Sequence, residues 1–384
     1  MTAGSGERGE GSPKGLPAVA GKRWSREKAR ALALLLMYLL PAPCSLLTAQ
    51  QPLTPPAHFQ KLAHTYSIVA WDSVTGDLGI AVESKFPNVG GIVPWARAGV
   101  GAVATQSLGL AEYADSGLAM MARGATPEEA LRAVMRRDSM TGDRQVGIVD
   151  AQGRAASYTG VRTFDWAGGR VGCGPSTEPA AGTREVADGK CTILGGKGTL
   201  IAGRGFAAQA NIMVSDQTVR NLAESFQHST GTLADRLLAA LKAGQAGGGD
   251  RRGMQSAALL VVRRNGGYLG ANDRFIDIRV YDAPDPIAEL DRLLTLHKLY
   301  FFPSDSANLV PITPAIVAQL EPILLAEPVN QPEKWLKSPR GAADSTFLAA
   351  LRDFMYWENY DVRVRMDGLI DQVVLNDILE RRKR

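Results

Sequence analysis

Histidine is scarce, with four in 384 residues (His58, His64, His228 and His297). They share no metal-like spacing, and no metal site is expected. No serine–histidine–aspartate set is evident. A nucleotide loop is missing too. The glycine-rich run GGKGTLIAGRG does not sit between a strand and a helix, and no lysine–serine/threonine pair follows it. Charge is sparse at 21%, and the net charge is only +4. The basic residues gather at the ends, in KRWSREKAR and ERRKR, with no basic stripe interleaved with aromatics, so nucleic acid is not an expected partner. Hydrophobic content of 45% excludes global disorder and allows two domains, or one large domain with an appendage.

Long apolar runs are also few. The uncharged stretch from Ala31 to Ala49 nearly reaches spanning length, but Pro41 and Pro43 interrupt it. With KRWSREKAR before it and Leu47, Thr48 and Ala49 before Gln50, it reads as a cleaved export signal, residues 1–49. The alternative is an uncleaved inner-membrane anchor. Residues 50–64, with QQPLTPPAHFQ, read as a linker or propeptide. Cys44 leaves with the signal, so Cys173 and Cys191 remain. In an oxidising compartment two such cysteines most simply form a disulfide, with a reactive thiol pair as the alternative; no histidine lies near them to make a metal site.

From Thr65 the pattern is regular. YSIVAWD and LGIAVESK alternate around the turn SVTGD and read as a hairpin. VGAVATQS is a further strand, followed by two helices. The second opens with Thr126, Pro127 and Glu129 as a capping box. QVGIVD and RAASYTG form another hairpin. Residues Gly172–Gly205, glycine-rich and carrying both cysteines, read as an excursion from the core. FAAQANIMV is a strand, SDQTVRNLAESFQHS and TLADRLLAALKAG are helices, and MQSAALLVVRR is a strand buried on both faces. DRFIDIRVYD is the last strand, and Asp285–Pro286 opens a helix.

Strands joined by tight turns pair antiparallel, and paired helices do not make a doubly wound sheet. The order predicts an α+β fold of two stacked antiparallel sheets with helices outside, over residues 65–299. Residues 300–384 predict a small helical module, with Phe354, Tyr356 and Trp357 close together in an ordinary helical core. Sheet edges left exposed would suit a homodimer.

TYSIVAWDSVTGDLGIAVESKFPNVGGIVPWARAGVGAVATQS, QVGIVDAQGRAASYTG, FAAQANIM and GGDRRGMQSAALLVV together resemble a family known as domain of unknown function 1028, over roughly Thr65 to His297. The resemblance implies membership of the N-terminal-nucleophile hydrolase superfamily and a four-layer αββα sandwich. WENYDVRVRMDGLIDQVVL resembles a C-terminal module of some members that is described as peptidoglycan-binding, which implies a cell-wall partner.

The superfamily mechanism is acyl transfer from an amide to the nucleophile's hydroxyl, with water then releasing the acyl group and no cofactor. Thr65 aligns with the start of the family motif, so the resemblance implies that it is the nucleophile. Its own α-amine, with an ordinary pKa of about 7.7–8.0, would be the base. The expected signal cleavage at Gln50 would leave residues before Thr65, so a second cut after His64 is required. Lys85 is a candidate to stabilise an oxyanion by Coulomb attraction, and Asn211 to donate its amide to one. Asp250 could hold the amine or hydroxyl, and Ser256 could relay a proton. Gln255 and Gln106 are candidates for substrate binding, with Gln106 and Ser107 in ATQS the weaker ones. Each has a bland reading: a solvated lysine, a structural amide, a turn aspartate, a strand-start cap.

The expected function is hydrolysis of a C–N bond in a small-molecule or peptide amide. The rival is a catalytically silent binding protein on the same scaffold, docked on the cell wall.

Overall fold

The computed structural model describes residues 65–174, 183–186, 189–195, 197–326 and 334–381. The expected export signal and linker, with His58 and His64, lie outside them. Among the described residues the chain is mixed α+β.

A seven-stranded sheet runs in the order β10 (Gly198–Ile201), β7 (Gly168–Gly174), β11 (Gly203–Ala210), β1 (Thr65–Trp71), β2 (Leu78–Ser84), β12 (Ser256–Val262) and β13 (Arg274–Val280). A six-stranded sheet runs β3 (Pro94–Arg97), β4 (Gly101–Ser107), β5 (Arg144–Asp150), β6 (Ala155–Thr159), β9 (Gly189–Leu194) and β8 (Thr183–Val186). The β1–β2 hairpin forms where expected. Asp72 Oδ1 accepts from the Val74 and Thr75 amides, and Gly76 closes the turn at φ 75°, a left-handed conformation that suits glycine.

Alternation decides what each strand face buries. On β1, Tyr66, Ile68 and Ala70 turn outward and pack with α3 (Gln217–His228), α4 (Leu233–Ala246) and α5 (Pro286–Phe301), through Leu222, Leu237 and Leu290. Val69 turns inward and joins Ile80 and Leu260 of its own sheet with Ala104, Val149 and Ile193 of the six-stranded one. On that second sheet, Val103, Val146 and Ile148 face α1 (Glu112–Met121) and α2 (Pro127–Met135). The Thr126–Glu129 capping box is formed, and Asp285 caps α5 through the Ala288 amide. β12 is buried along its whole length, as its continuous apolar sequence requires.

Two expectations change. The sheets are not wholly antiparallel, because β6 pairs with β9, and β7 with β10, in parallel. Each parallel pair takes one strand, β9 or β10, from the Gly172–Gly205 region, which is no excursion. It crosses between the sheets and supplies strands to each. Cys173 on β7 and Cys191 on β9 form a disulfide, with Cα atoms 5.7 Å apart, so the covalent link joins one sheet to the other.

Beyond α5, helices α6 (Pro314–Leu324), α7 (Ser345–Trp357) and α8 (Gln372–Arg381) gather around Leu320, Phe347, Leu351 and Val374, with a two-stranded sheet of β14 (Leu309–Pro311) and β15 (Leu369–Asp371). The buried Arg363 donates to the carbonyls of Lys298 and Leu299 and pairs with Asp371, fastening this cluster to the end of α5. Phe354 packs against Trp335, while Tyr356 and Trp357 are each half exposed rather than core. No helix of the described residues is long and apolar enough to cross a membrane.

Candidate active site

Thr65 opens β1, fully buried, with its side chain on the inner face shared with Ser67 and Val69. The β1–β2 and β12–β2 registers place Thr65, Ser84 and Ser256 side by side across three neighbouring strands. Thr65 Oγ1 donates to Ser84 Oγ at 3.1 Å. The Thr65 carbonyl accepts from the Asn211 amide at 3.1 Å and from Gln106 Nε2 at 3.1 Å. Its nitrogen is still a peptide nitrogen, since His64 precedes it.

Around Thr65 the inner space fills with amides. Gln106 Nε2 and Asn211 Nδ2 both donate to Gln145 Oε1, at 2.8 and 2.9 Å. Gln145 Nε2 donates in turn to Thr159 Oγ1 and the Ala210 carbonyl. Gln209 Nε2 donates to Ser67 Oγ, and Ser67 Oγ to Gln106 Oε1. The network therefore crosses from β1 and β11 in one sheet to β4, β5 and β6 in the other. Its members are fully or almost fully buried, where amides are costly unless satisfied. Gln209 Oε1 has no partner among the described residues. It lies over Gly147, where a Cβ would fall 2.0 Å from it, so that glycine makes the room. The second contact of Asn211 Nδ2, to the Thr65 carbonyl, is long at 3.5 Å. Ser107 ends β4 in the left-handed region at φ 65°, with its buried hydroxyl unpartnered among the described residues. That kind of strain collects at functional sites.

Lys85, Asp250, Ser256 and Gln255 form a second group, which clamps the segment following β2. Lys85 is exposed, and its Nζ donates to the Met254 carbonyl at 3.1 Å rather than toward Thr65. Its backbone amide donates to Asp250 Oδ2. Asp250 also binds Arg252, with Nη2 at 2.6 Å. Ser256 Oγ donates to the Phe86 carbonyl and accepts from the Val89 amide, so its proton serves the loop. The Gln255 amide donates to the Ser84 carbonyl, and its carbonyl accepts from Ala283. Of the candidate residues, only Asn211 and Gln106 bond to Thr65 directly.

Sequence reading missed Ser67, Ser84, Gln145, Thr159 and Gln209. The signal was a glutamine recurring in three largely buried strands, at Gln106, Gln145 and Gln209. It also missed Glu83, which sits on the outer face opposite Tyr66 with neither carboxyl oxygen partnered among the described residues. Burial pushes this carboxyl well above its ordinary range, and the Asp250 carboxylate adds to the rise. The Gln255 amide, bonded to Ser84, is only a partial counterweight. Burial first, then Glu83, also raise the Tyr66 phenol, which donates to Gln245 Oε1 at 3.1 Å. Among the described residues no cluster of histidine, cysteine or carboxylate side chains could hold a metal ion.

A model described as a family of unknown function, DUF1028, matches residues 65–178 and 180–290. A crystal structure of a protein from Silicibacter pomeroyi, described under the same family model, is 25% identical with a TM-score of 0.49, covering 62% of this chain and 87% of that one. No curated protein matches.

Proposed function

The chain belongs to the family of unknown function DUF1028, and on that premise we propose that it is an exported hydrolase of the N-terminal-nucleophile type, cleaving a C–N amide bond through Thr65. The two sheets and their flanking helices are read here as the four-layer αββα sandwich of that superfamily. The observation that carries the reading is one of position. Thr65 is the first residue matched by the family model, the first residue of β1 and the residue on which the amide network converges.

The chemistry needs a cut between His64 and Thr65. The freed α-amine takes the Oγ1 proton as Oγ1 attacks the substrate carbonyl carbon. Negative charge develops on the carbonyl oxygen, and Asn211 Nδ2, 2.9 Å from Gln145 Oε1 and 3.5 Å from the Thr65 carbonyl, is the donor proposed to meet it. The C–N bond then breaks, the amine leaves with the proton, and water hydrolyses the resulting ester. Ser84 Oγ, 3.1 Å from Thr65 Oγ1, orients the hydroxyl. Gln106 and Gln145 hold the Thr65 carbonyl and the Asn211 amide in place. Lys85, Asp250, Ser256 and Gln255 act by fixing the neighbouring loop.

The test is an amide and peptide hydrolysis screen on a chain beginning at Thr65, with Thr65→Ala as control. Turnover lost in Thr65→Ala supports the reading, and turnover retained in it overturns the reading. A silent binding protein remains the second reading, favoured by the peptide-bonded nitrogen of the uncut chain. The C-terminal residues 300–384 are proposed to dock on peptidoglycan. Leu299 belongs to their core, so truncation there would damage the cluster. Replacing the half-exposed Tyr356 and Trp357 by alanine is the cleaner test, and unchanged pull-down with purified peptidoglycan would remove the idea.

A further inference from the structure

The other face of the seven-stranded sheet carries a cleft at its β10 edge. It has a volume of about 280 Å3 and opens between β7, β10 and the first turn of α3. Trp166 forms one wall, and Gly168 keeps the floor open beside it, because a Cβ there would fall 2.8 Å from the indole. Three cations line the cleft: Arg170 on β7, Lys197 just before β10 and Arg220 on α3.

Two of them are already neutralised. Lys197 Nζ lies 3.1 Å from Asp165, and Arg220 Nε lies 2.6 Å from Asp216. Arg170 is different. It is half-buried, and no ion pair or side-chain hydrogen bond engages its guanidinium among the described residues. Burial and then the nearby Arg220 guanidinium both pull its pKa down, opposed by Asp216 and Glu224. Among the residues that line the cleft, three cations face two carboxylates, and Arg170 is the cation paired with neither; Glu224, outside the lining, offsets it only through space. A half-buried guanidinium facing a second one is costly unless an anion sits with them. The planar fork of arginine matches a carboxylate with two parallel hydrogen bonds. The volume lies just below the usual range of ligand pockets and suits a molecule the size of an amino acid or dipeptide.

We infer that this cleft binds a small carboxylate, gripped by Arg170 with Lys197 and Arg220 beside it and its carbon skeleton against Trp166. A free small acid and the C-terminus of a short peptide share that chemistry. The site stands whether or not Thr65 is a nucleophile.

Calorimetric titration of the purified full chain tests it, with succinate, Ala-Ala, the C-terminal amide of Ala-Ala and inorganic phosphate as probes. Binding of succinate or Ala-Ala, with the amidated dipeptide weaker by roughly tenfold or more, is expected for a charge-assisted pair. Succinate alone would mark a free acid as the ligand, and Ala-Ala alone a peptide end. Arg170→Gln should lower the affinity by a similar factor, and Thr65→Ala should leave it unchanged. Should Arg170→Gln fold poorly, Arg170→Lys keeps the charge but loses the fork, and an intermediate loss is expected. Three results overturn the inference: no carboxylate binding, amidated dipeptide or phosphate binding at least as tightly as the carboxylates, or unchanged affinity in both folded Arg170 variants.

Discussion

The inner face of β1 changes character along a few residues. At one end Thr65 and Ser67 enter a network of amides, while further along the same face Val69 packs with Ile80, Leu260 and the Cys173–Cys191 disulfide. The neighbouring strands repeat the change. β5 passes from Gln145 to Val149, and β11 from Ala207 to Gln209, with Asn211 just beyond its end. Strands, face and burial are shared, but the chemistry is opposite. The apolar end shows what holding two sheets together requires. The amide end shows more than that, because each buried amide needs its partners and Gln209 Oε1 lacks one among the described residues. A polar cluster kept where an apolar one would pack suits a site rather than a scaffold.

The contrast can be broken at either end. Ile80→Ala at the apolar end should cost about 2–5 kcal/mol in denaturant melts through lost burial and a cavity. A cost below that of a surface change would mean the sheets are not held there. Cys173→Ala, which opens a loop of 18 residues, should cost about 3 kcal/mol in the chain-entropy model, read from the same melts under oxidising conditions. Gln145→Leu strips the acceptor from Gln106 and Asn211, and should cost about 1–3 kcal/mol. It should also abolish any turnover found, whereas Ile80→Ala should leave residual turnover in the folded fraction. Equal effects of the two on turnover would erase the distinction between the ends.

The last contrast concerns Glu83. Below its ordinary value of 4.5 this carboxyl is neutral in both folded and unfolded chains and costs nothing by ionisation. As the pH rises past that value the unfolded chain releases the proton while the folded chain retains it, so stability falls with rising pH. Glu83→Gln should therefore raise the melting temperature at pH 7, and the gain should vanish near pH 4. A loss at pH 7 would mean that Glu83 is ionised and partnered.

Much of the fold was legible in the sequence because its signals are local. DSVTGD fixes a hairpin through Asp72 and Gly76, Thr126 and Glu129 form their capping box within four residues, and the apolar run of β12 announces burial on both faces. The two parallel pairs were not legible. They depend on where a glycine-rich segment crosses between sheets, and neither Gly168–Gly174 nor Gly198–Ile201 carries an alternating pattern. The site was legible only in part. Thr65 stood out through the family resemblance, Asn211 as a polar residue inside an apolar strand, and Gln106 as a polar residue at the mouth of a sheet. Ser84 and Gln145 acquire meaning only from register, since nothing local says that Ser84 will lie opposite Thr65. Lys85 and Ser256 lie nearby along the strands, but their polar atoms turn to backbone carbonyls instead.

The central claim is that Thr65 becomes a free N-terminus. Intact mass and end-sequencing of the protein from its own exported fraction test it most directly. A single species beginning at Thr65 is predicted. A stable chain that keeps residues ahead of Thr65 would leave its nitrogen in a peptide bond and contradict the account.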